Sequence, residues 1–299
     1  MEPSLYWLGV LLAVLAGMIT QLGSVFQKKA VNEKSSDSGF MKSLVKSPTW
    51  LLGVFLSFGI SSIFFLIAQG FIGPALIPGL MSLGLIVLVI GSIKLVGEKL
   101  KLEEYLGILL MITGTLLLSL SQLSIEIIEA DLLEIWYLIR LILYTIILFI
   151  LSLLCYIFQK KSNRFKGILL AILSGLMFAL GNLWVSQLIG TITDVFSGNF
   201  NIPQLILCIT AIIILILCNV YGLTTIQHAY RVGQASNLIP IQNVPSLISP
   251  IFIYFLVFLM NPPFIYSIFF LASGVSLIIV SFFLLGKRSA RMEELNRES

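Results

Sequence analysis

Nine apolar stretches make up most of this chain, and no motif in it constrains the fold as much as they do. They cover roughly residues 5–26, 50–69, 72–96, 105–120, 135–158, 167–189, 203–227, 234–260 and 264–285. A bilayer core about 30 Å thick takes about 20 helical residues to cross. Backbone polar groups in lipid must be satisfied within the segment, so each stretch reads as a spanning helix. At 58% hydrophobic and 11% charged, with mean hydropathy +1.05, the chain lacks the charge a soluble surface needs, about a quarter of residues. The expected fold is an all-α integral membrane protein with nine transmembrane helices.

The first stretch has no basic region before it and is followed by Lys28 and Lys29, not by a small-residue cleavage site, so it reads as a retained helix and not a signal peptide. Cys155, Cys208 and Cys218 all fall inside expected spans and read as packing residues.

Charge orients the bundle. With nine spans, one side receives residues 27–49, 97–104, 159–166, the turn near Arg231 and the tail after Leu285. Together with Lys94 at a helix end, these hold 17 of the 18 Lys and Arg residues. The other side holds Glu2, Glu126, Glu129, Asp131, Glu134 and Asp194 and no basic residue. The positive-inside rule then puts the N-terminus outside and the C-terminus in the cytoplasm. This basic side reads as topogenic, and no nucleic-acid partner is expected.

The chain also repeats itself. GVLLAVLAGMITQLG at 9–23 and GILLAILSGLMFALG at 167–181 agree at eight of fifteen positions, including three glycines. Leu76, Ile77 and Pro78 return as Leu238, Ile239 and Pro240, and ITGTLLL at 112–118 returns as ASGVSLI at 272–278. Helices one to four therefore match helices six to nine. The expected units are a first repeat (1–123), a connector with the fifth helix (124–166), a second repeat (167–286) and a tail (287–299). Five crossings separate the matching helices, so the halves are inverted, an architecture common in secondary transporters that bind solute near mid-membrane.

One helix ending in paired lysines, a second helix, a Pro-containing helix, GEKL at 97–100 and LGILLMITGTLLL at 106–118 resemble the four-helix unit of small multidrug resistance proteins. They are also similar to the repeat of the drug/metabolite transporter (EamA-like) superfamily. Within it, VFQKKA at 25–30, GFIGPALIPG at 70–79 and NVYGL at 219–223 resemble the NIPA-type magnesium transporter branch. The resemblance implies a fused inverted duplication. It also shows two departures. The membrane-embedded Glu of the multidrug proteins falls near Thr20, with Phe178 in the second half, and MNPPF at 260–264 stands where the first hairpin has GEKL.

Few ionisable residues lie within the spans, where a charge costs about 3 kcal/mol at mid-depth. Arg140 could pair with Glu134, reach the headgroups or face a cavity. Lys94 reads as reaching the headgroups and His228 as interfacial beside Arg231. Glu98 reads as a solvated charge at the hairpin bend. The neutral polar residues are more suggestive. The eighth helix carries Pro240, Pro245 and Pro250, each removing a backbone donor. The candidate substrate site is Gln242, Asn243 and Ser246 among them, with Pro78 and Ser82 from the equivalent third helix and Gln21 and Asn182 from the first and sixth. The same amides could instead serve interhelical hydrogen bonds.

The first functional expectation is a secondary transporter of a small polar metabolite by alternating access. The alternative implied by the NIPA resemblance is a carrier of magnesium or another divalent cation, since Mg²⁺ takes oxygen ligands and keeps several waters. A third reading is a non-transporting scaffold or lipid-handling protein. No phosphate loop, metal-ligand cluster or activated nucleophile is present in the sequence, so neither enzymatic activity nor a cofactor is expected. The partners are the substrate and the bilayer. With both halves in one chain, a monomer could suffice.

Overall fold

The computed structural model describes residues 3–34, 39–72, 76–123, 132–161, 165–198 and 201–298. Within them nine helices are long and apolar enough to cross a membrane. They are α1 (Leu5–Asn32), α2 (Pro48–Ile72), α3 (Ile77–Val96), α4 (Leu102–Leu120), α5 (Ile135–Lys161), α6 (Lys166–Ser197), α7 (Ile202–Tyr230), α8 (Ala235–Val257) and α9 (Ile265–Glu294). The described residues contain no strand. The protein is an all-α integral membrane protein, as its hydropathy requires.

Several helix ends differ from expectation, for local reasons. The α4 helix begins three residues early because the Glu104 side chain accepts from the Lys101 N–H at 2.5 Å and so starts the helix inside the charged bend. Thr191 and Asp194 do not interrupt α6, which continues until Gly198 adopts the left-handed conformation, φ 77°. The α9 helix continues well past Leu285 into the basic segment left as a tail by hydropathy.

In both halves the first helix packs on the second and third, and the third on the fourth. The two fourth helices, α4 and α9, then pack on each other. Glycines permit the closest approaches. A Cβ on Gly17 would overlap the Met81 backbone of α3, and one on Gly175 would overlap the Gln242 carbonyl of α8. Between the halves, a Cβ on Gly114 would lie 2.9 Å from the Gly274 carbonyl oxygen, and one on Gly274 would lie 2.8 Å from that of Gly114. Such a reciprocal contact between matching residues is consistent with an inverted repeat. The bends are consistent with it too. Both α3 and α8 end in a widened π-helical turn, Ser92–Val96 and Ile253–Val257, and each turn is followed by a left-handed residue, Gly97 at φ 79° and Leu259 at φ 54°.

The connector α5 packs on α6 alone among its larger contacts with other spanning helices. It is fastened by polar contacts: Gln187 donates to the Tyr137 hydroxyl (2.6 Å), Trp184 to the Thr145 hydroxyl (3.2 Å), and Tyr144 lies 3.0 Å from the Ser249 hydroxyl. Arg140 neither pairs with Glu134, which is exposed, nor enters a cavity between the halves. Its Nε donates to the Val257 carbonyl at 2.9 Å, where the widened end of α8 presents one.

The apolar core falls into three parts. One contains residues of both halves, among them Val25, Leu88, Met111, Ile226, Leu238 and Ile278. A second joins α5 to the second half through Leu141, Leu148, Leu183 and Val257. A small third belongs to the first half alone, at Ala13, Ala68 and Ile77. The halves thus share a core toward the basic end of the bundle, which carries residues 39–47, 97–101 and 231–234. Toward the opposite end each has its own. Of the acidic residues assigned to that opposite end, Glu134 and Asp194 are described, whereas Glu2, Glu126, Glu129 and Asp131 lie outside the described residues, as does Arg164 among the basic ones.

Candidate functional site

The sequence places three small polar residues on one face of α1, Thr20, Ser24 and Gln27, at spacings of four and three. In the fold this face meets α2, α6, α7 and α8 around a cavity of about 320 Å³ between the two halves. Gln21, Asn182, Gln242, Asn243 and Ser246 line it, so five of the seven candidate residues are brought together. The remaining two, Pro78 and Ser82, line a neighbouring cavity of about 190 Å³. Thr20, Gln21 and Asn243 line both spaces.

The seven candidates are not equally available. Gln242 donates to the Ser174 hydroxyl (3.0 Å), which in turn donates to the Gly222 carbonyl (2.7 Å). Ser246 donates to the Gly175 carbonyl at 3.2 Å, and Ser82 to the Gly79 carbonyl at 2.6 Å. Gln242 and Ser246 thus tie α8 to α6, as the interhelical alternative has it, whereas the Ser82 bond stays within α3. Gln21 differs: it is buried, and its Oε1 has no hydrogen-bond partner. A buried acceptor left unpaired costs about 1–3 kcal/mol, so it is a ready ligand for whatever enters.

Sequence reasoning missed Thr20, Ser24, Gln27, Ser57, Asn219 and Tyr230 as lining residues. The periodic polar face of α1 was the signal that could have found them. Thr20 and Phe178, which stand where the multidrug proteins carry Glu, both line the larger cavity, and Phe178 meets Phe58 of the other half with ring centroids 6.4 Å apart.

Beyond Tyr230, at the basic end, lies a network of buried polar groups. Gln227 donates to Gln27 Oε1 (2.7 Å), and Gln27 donates to the Ser57 hydroxyl (3.3 Å). The Lys28 ammonium donates to the Tyr230 carbonyl and, at 2.8 Å, to that of Gly233. Glu98 accepts from the Ala235 N–H (2.7 Å), the Ser236 N–H (3.1 Å) and the Ser236 hydroxyl (2.7 Å). It therefore caps the N-terminus of α8, where the helix dipole favours an anion. Glu104, fully buried, accepts from Asn237 Nδ2 at 2.6 Å, and Arg288 Nε lies 3.6 Å from it.

Glu98 is thus not a solvated charge. Gly97 turns the chain through its left-handed conformation and sends the next side chain inward beneath α8. Lys28 and Arg288, expected in basic loops, are buried as well. In the second half, Gly167 at the start of α6 donates to the Glu293 carboxylate (3.1 Å). Among the described residues, hydrogen bonds that join the two halves toward the basic end include those of Gln27, Lys28, Glu98, Glu104 and the Ser281–Gly107 pair. His228 sits apart from this network, its ring 5.6 Å from that of Phe40, and Lys94 is exposed.

The described residues hold no group of three or more His, Cys, Asp or Glu that could bind a metal ion, and the polar groups that line the cavity between the halves are neutral hydroxyls and amides. A family model described as magnesium transporter NIPA matches residues 4–290. The chain belongs to the NIPA magnesium transporter family. No curated protein and no solved structure matches it. The NIPA family lies within the drug/metabolite transporter-like superfamily that the four-helix motifs pointed to. As a NIPA-family protein, the chain is a membrane transporter.

Proposed function

We propose that this NIPA-family chain carries Mg²⁺, or a divalent cation like it, across the membrane by alternating access, in place of the small metabolite that sequence reasoning put first. The observation that carries this reading is the unpaired, buried Gln21 Oε1, which stands with Asn243 between two cavities of mixed lining at the junction of the halves. Mg²⁺ prefers oxygen ligands and sheds water reluctantly. About six waters at about 30 Å³ each fit within the larger cavity, so amide oxygens would hold the ion through its hydration shell. Neutral ligands suit a carrier, which must release what it binds.

The positive-inside rule puts the basic end in the cytoplasm. The polar network there closes the cavity on that side, and the conformation described is then the one facing outward. Transport to the cytoplasm requires Lys28, Glu98 and Glu104 to exchange their partners as the halves rock. Replacing Gln21 and Asn243 together by Leu should lower Mg²⁺ uptake into proteoliposomes at least about tenfold, the loss of roughly 1.4 kcal/mol of binding. The folded yield should stay the same. Undiminished Mg²⁺ uptake by the variant would remove these amides from the path, and uptake of amino acids or sugars without Mg²⁺ by the unaltered protein would restore the metabolite reading.

A further inference from the structure

A second pair of cavities lies outside the path between the halves, in the crevice that α5 and α7 form over α6. At the basic end of the crevice is a space of about 550 Å³ lined by Tyr156, Lys166, Thr224, His228 and Arg231, among others, with no carboxylate in its wall. It continues into an apolar groove of about 520 Å³, whose walls include Phe149, Leu153, Met177 and Leu217. Tyr156, Leu173 and Tyr221 line both spaces, so the two are continuous. Phe149 and Leu217 are 59% and 63% exposed, so the groove opens on the surface that faces lipid. A further cation borders the basic part, Lys160, 4.2 Å from the centroid of the Tyr156 ring, and Arg231 itself lies over the Phe40 ring at 4.5 Å.

A basic cup at headgroup depth above an apolar slot has the shape and charge of one class of ligand. We infer that this crevice binds an anionic phospholipid, with the phosphate among Lys166, His228 and Arg231 and an acyl chain along Phe149, Leu153 and Leu217. Charge complementarity selects the headgroup, since basic pockets between spanning helices hold anionic lipid heads through each cation's attraction. The groove selects a lipid over a soluble phosphate, because burying methylene groups adds affinity that a free anion lacks. The unrepeated helix α5 supplies one wall, so the site belongs to one half of the molecule only. A lipid seated there bridges α5 and α7 across α6.

The test is native mass spectrometry of the delipidated full chain, titrated with phosphatidylglycerol, phosphatidylcholine or glycerol phosphate. One phosphatidylglycerol should be retained at concentrations where neither of the others is. Each cation near a lipid headgroup changes affinity about fivefold, so Lys166→Gln with Arg231→Gln should weaken phosphatidylglycerol binding about thirtyfold. Leu217→Trp, which fills the groove from its lipid-facing wall, should weaken phosphatidylglycerol and leave glycerol phosphate unchanged. Equal retention of phosphatidylcholine, displacement of the lipid by equimolar glycerol phosphate, or undiminished binding by the folded double variant would each overturn the assignment. The comparison of the three ligands on the unaltered protein decides the matter even if a variant does not fold.

Discussion

The bends after α3 and after α8 occupy matching places in the two halves, yet they do opposite things. After α3, Gly97 turns the chain and Glu98 reaches into the other half, accepting from the first N–H groups of α8. After α8, Leu259 makes the same left-handed turn, but the next residue is Met260, which has no charge to offer, and the Tyr254 hydroxyl donates to the Asn261 carbonyl within the same hairpin. One bend ties the halves together, whereas the other is held within its own hairpin and by α5, whose Tyr137 ring lies 5.3 Å from that of Phe258. Two bends of the same backbone geometry can thus carry different chemistry, with the charge that joins the halves in one of them. The core shows the same division, shared at the basic end and separate at the opposite end.

The largest expected effect tests that difference directly. Glu98→Ala removes a buried carboxylate, strands two N–H groups and takes away a charge that Lys28 feels. Breaking a buried ionic arrangement from one side costs about 3 kcal/mol or more. Thermal unfolding in detergent should show that loss for Glu98→Ala and much less for Met260→Ala. Equal losses would mean that the two bends are equivalent after all. A smaller effect, about 1–2 kcal/mol, is expected for Gln27→Leu, which leaves the Gln227 amide without its acceptor inside the network. If the network is the closure, this variant should also admit a thiol reagent from the basic side to a cysteine placed at Ser24. Unchanged labelling would leave Gln27 as packing only. The smallest change is a gain: Leu259→Gly should stabilise by about 1 kcal/mol, because a leucine at positive φ is strained where glycine is not. Cation uptake should not change. A loss of uptake would show that this bend, too, takes part in transport.

How much of this could be read from residues depends on the range of the forces involved. The spans were legible because the bilayer demands a local property, about 20 apolar residues in a row, and α5 and α7 fall within a few residues of expectation. The polar lining was legible for a related reason: Gln242 and Asn243 stand out in an apolar helix, and the fold gathers them with Gln21 and Asn182. The polar network at the basic end was not legible. Lys28, Glu98, Glu104 and Arg288 look like loop charges, and their partners lie more than a hundred residues away. Nothing near Glu98 in the chain announces that the N-terminus of α8 will arrive beside it. Hydropathy likewise ends α9 too soon, because Arg288 and Glu293 look solvated until the buried groups that face them are known.

At the crossing of α4 and α9, Gly114 and Gly274 bring the two backbones within reach of each other's carbonyl oxygens, with Leu118 and Ile278 packed beside them. Side chains that interlock have to be lifted from one set of holes and dropped into another before helices can turn, and each set is an energy well. Bare backbone against bare backbone presents neither knobs nor holes. Where the glycines cross, fewer side chains have to be lifted for the angle between α4 and α9 to change, so this crossing is the place in the shared core where a change of angle disturbs the fewest rotamers.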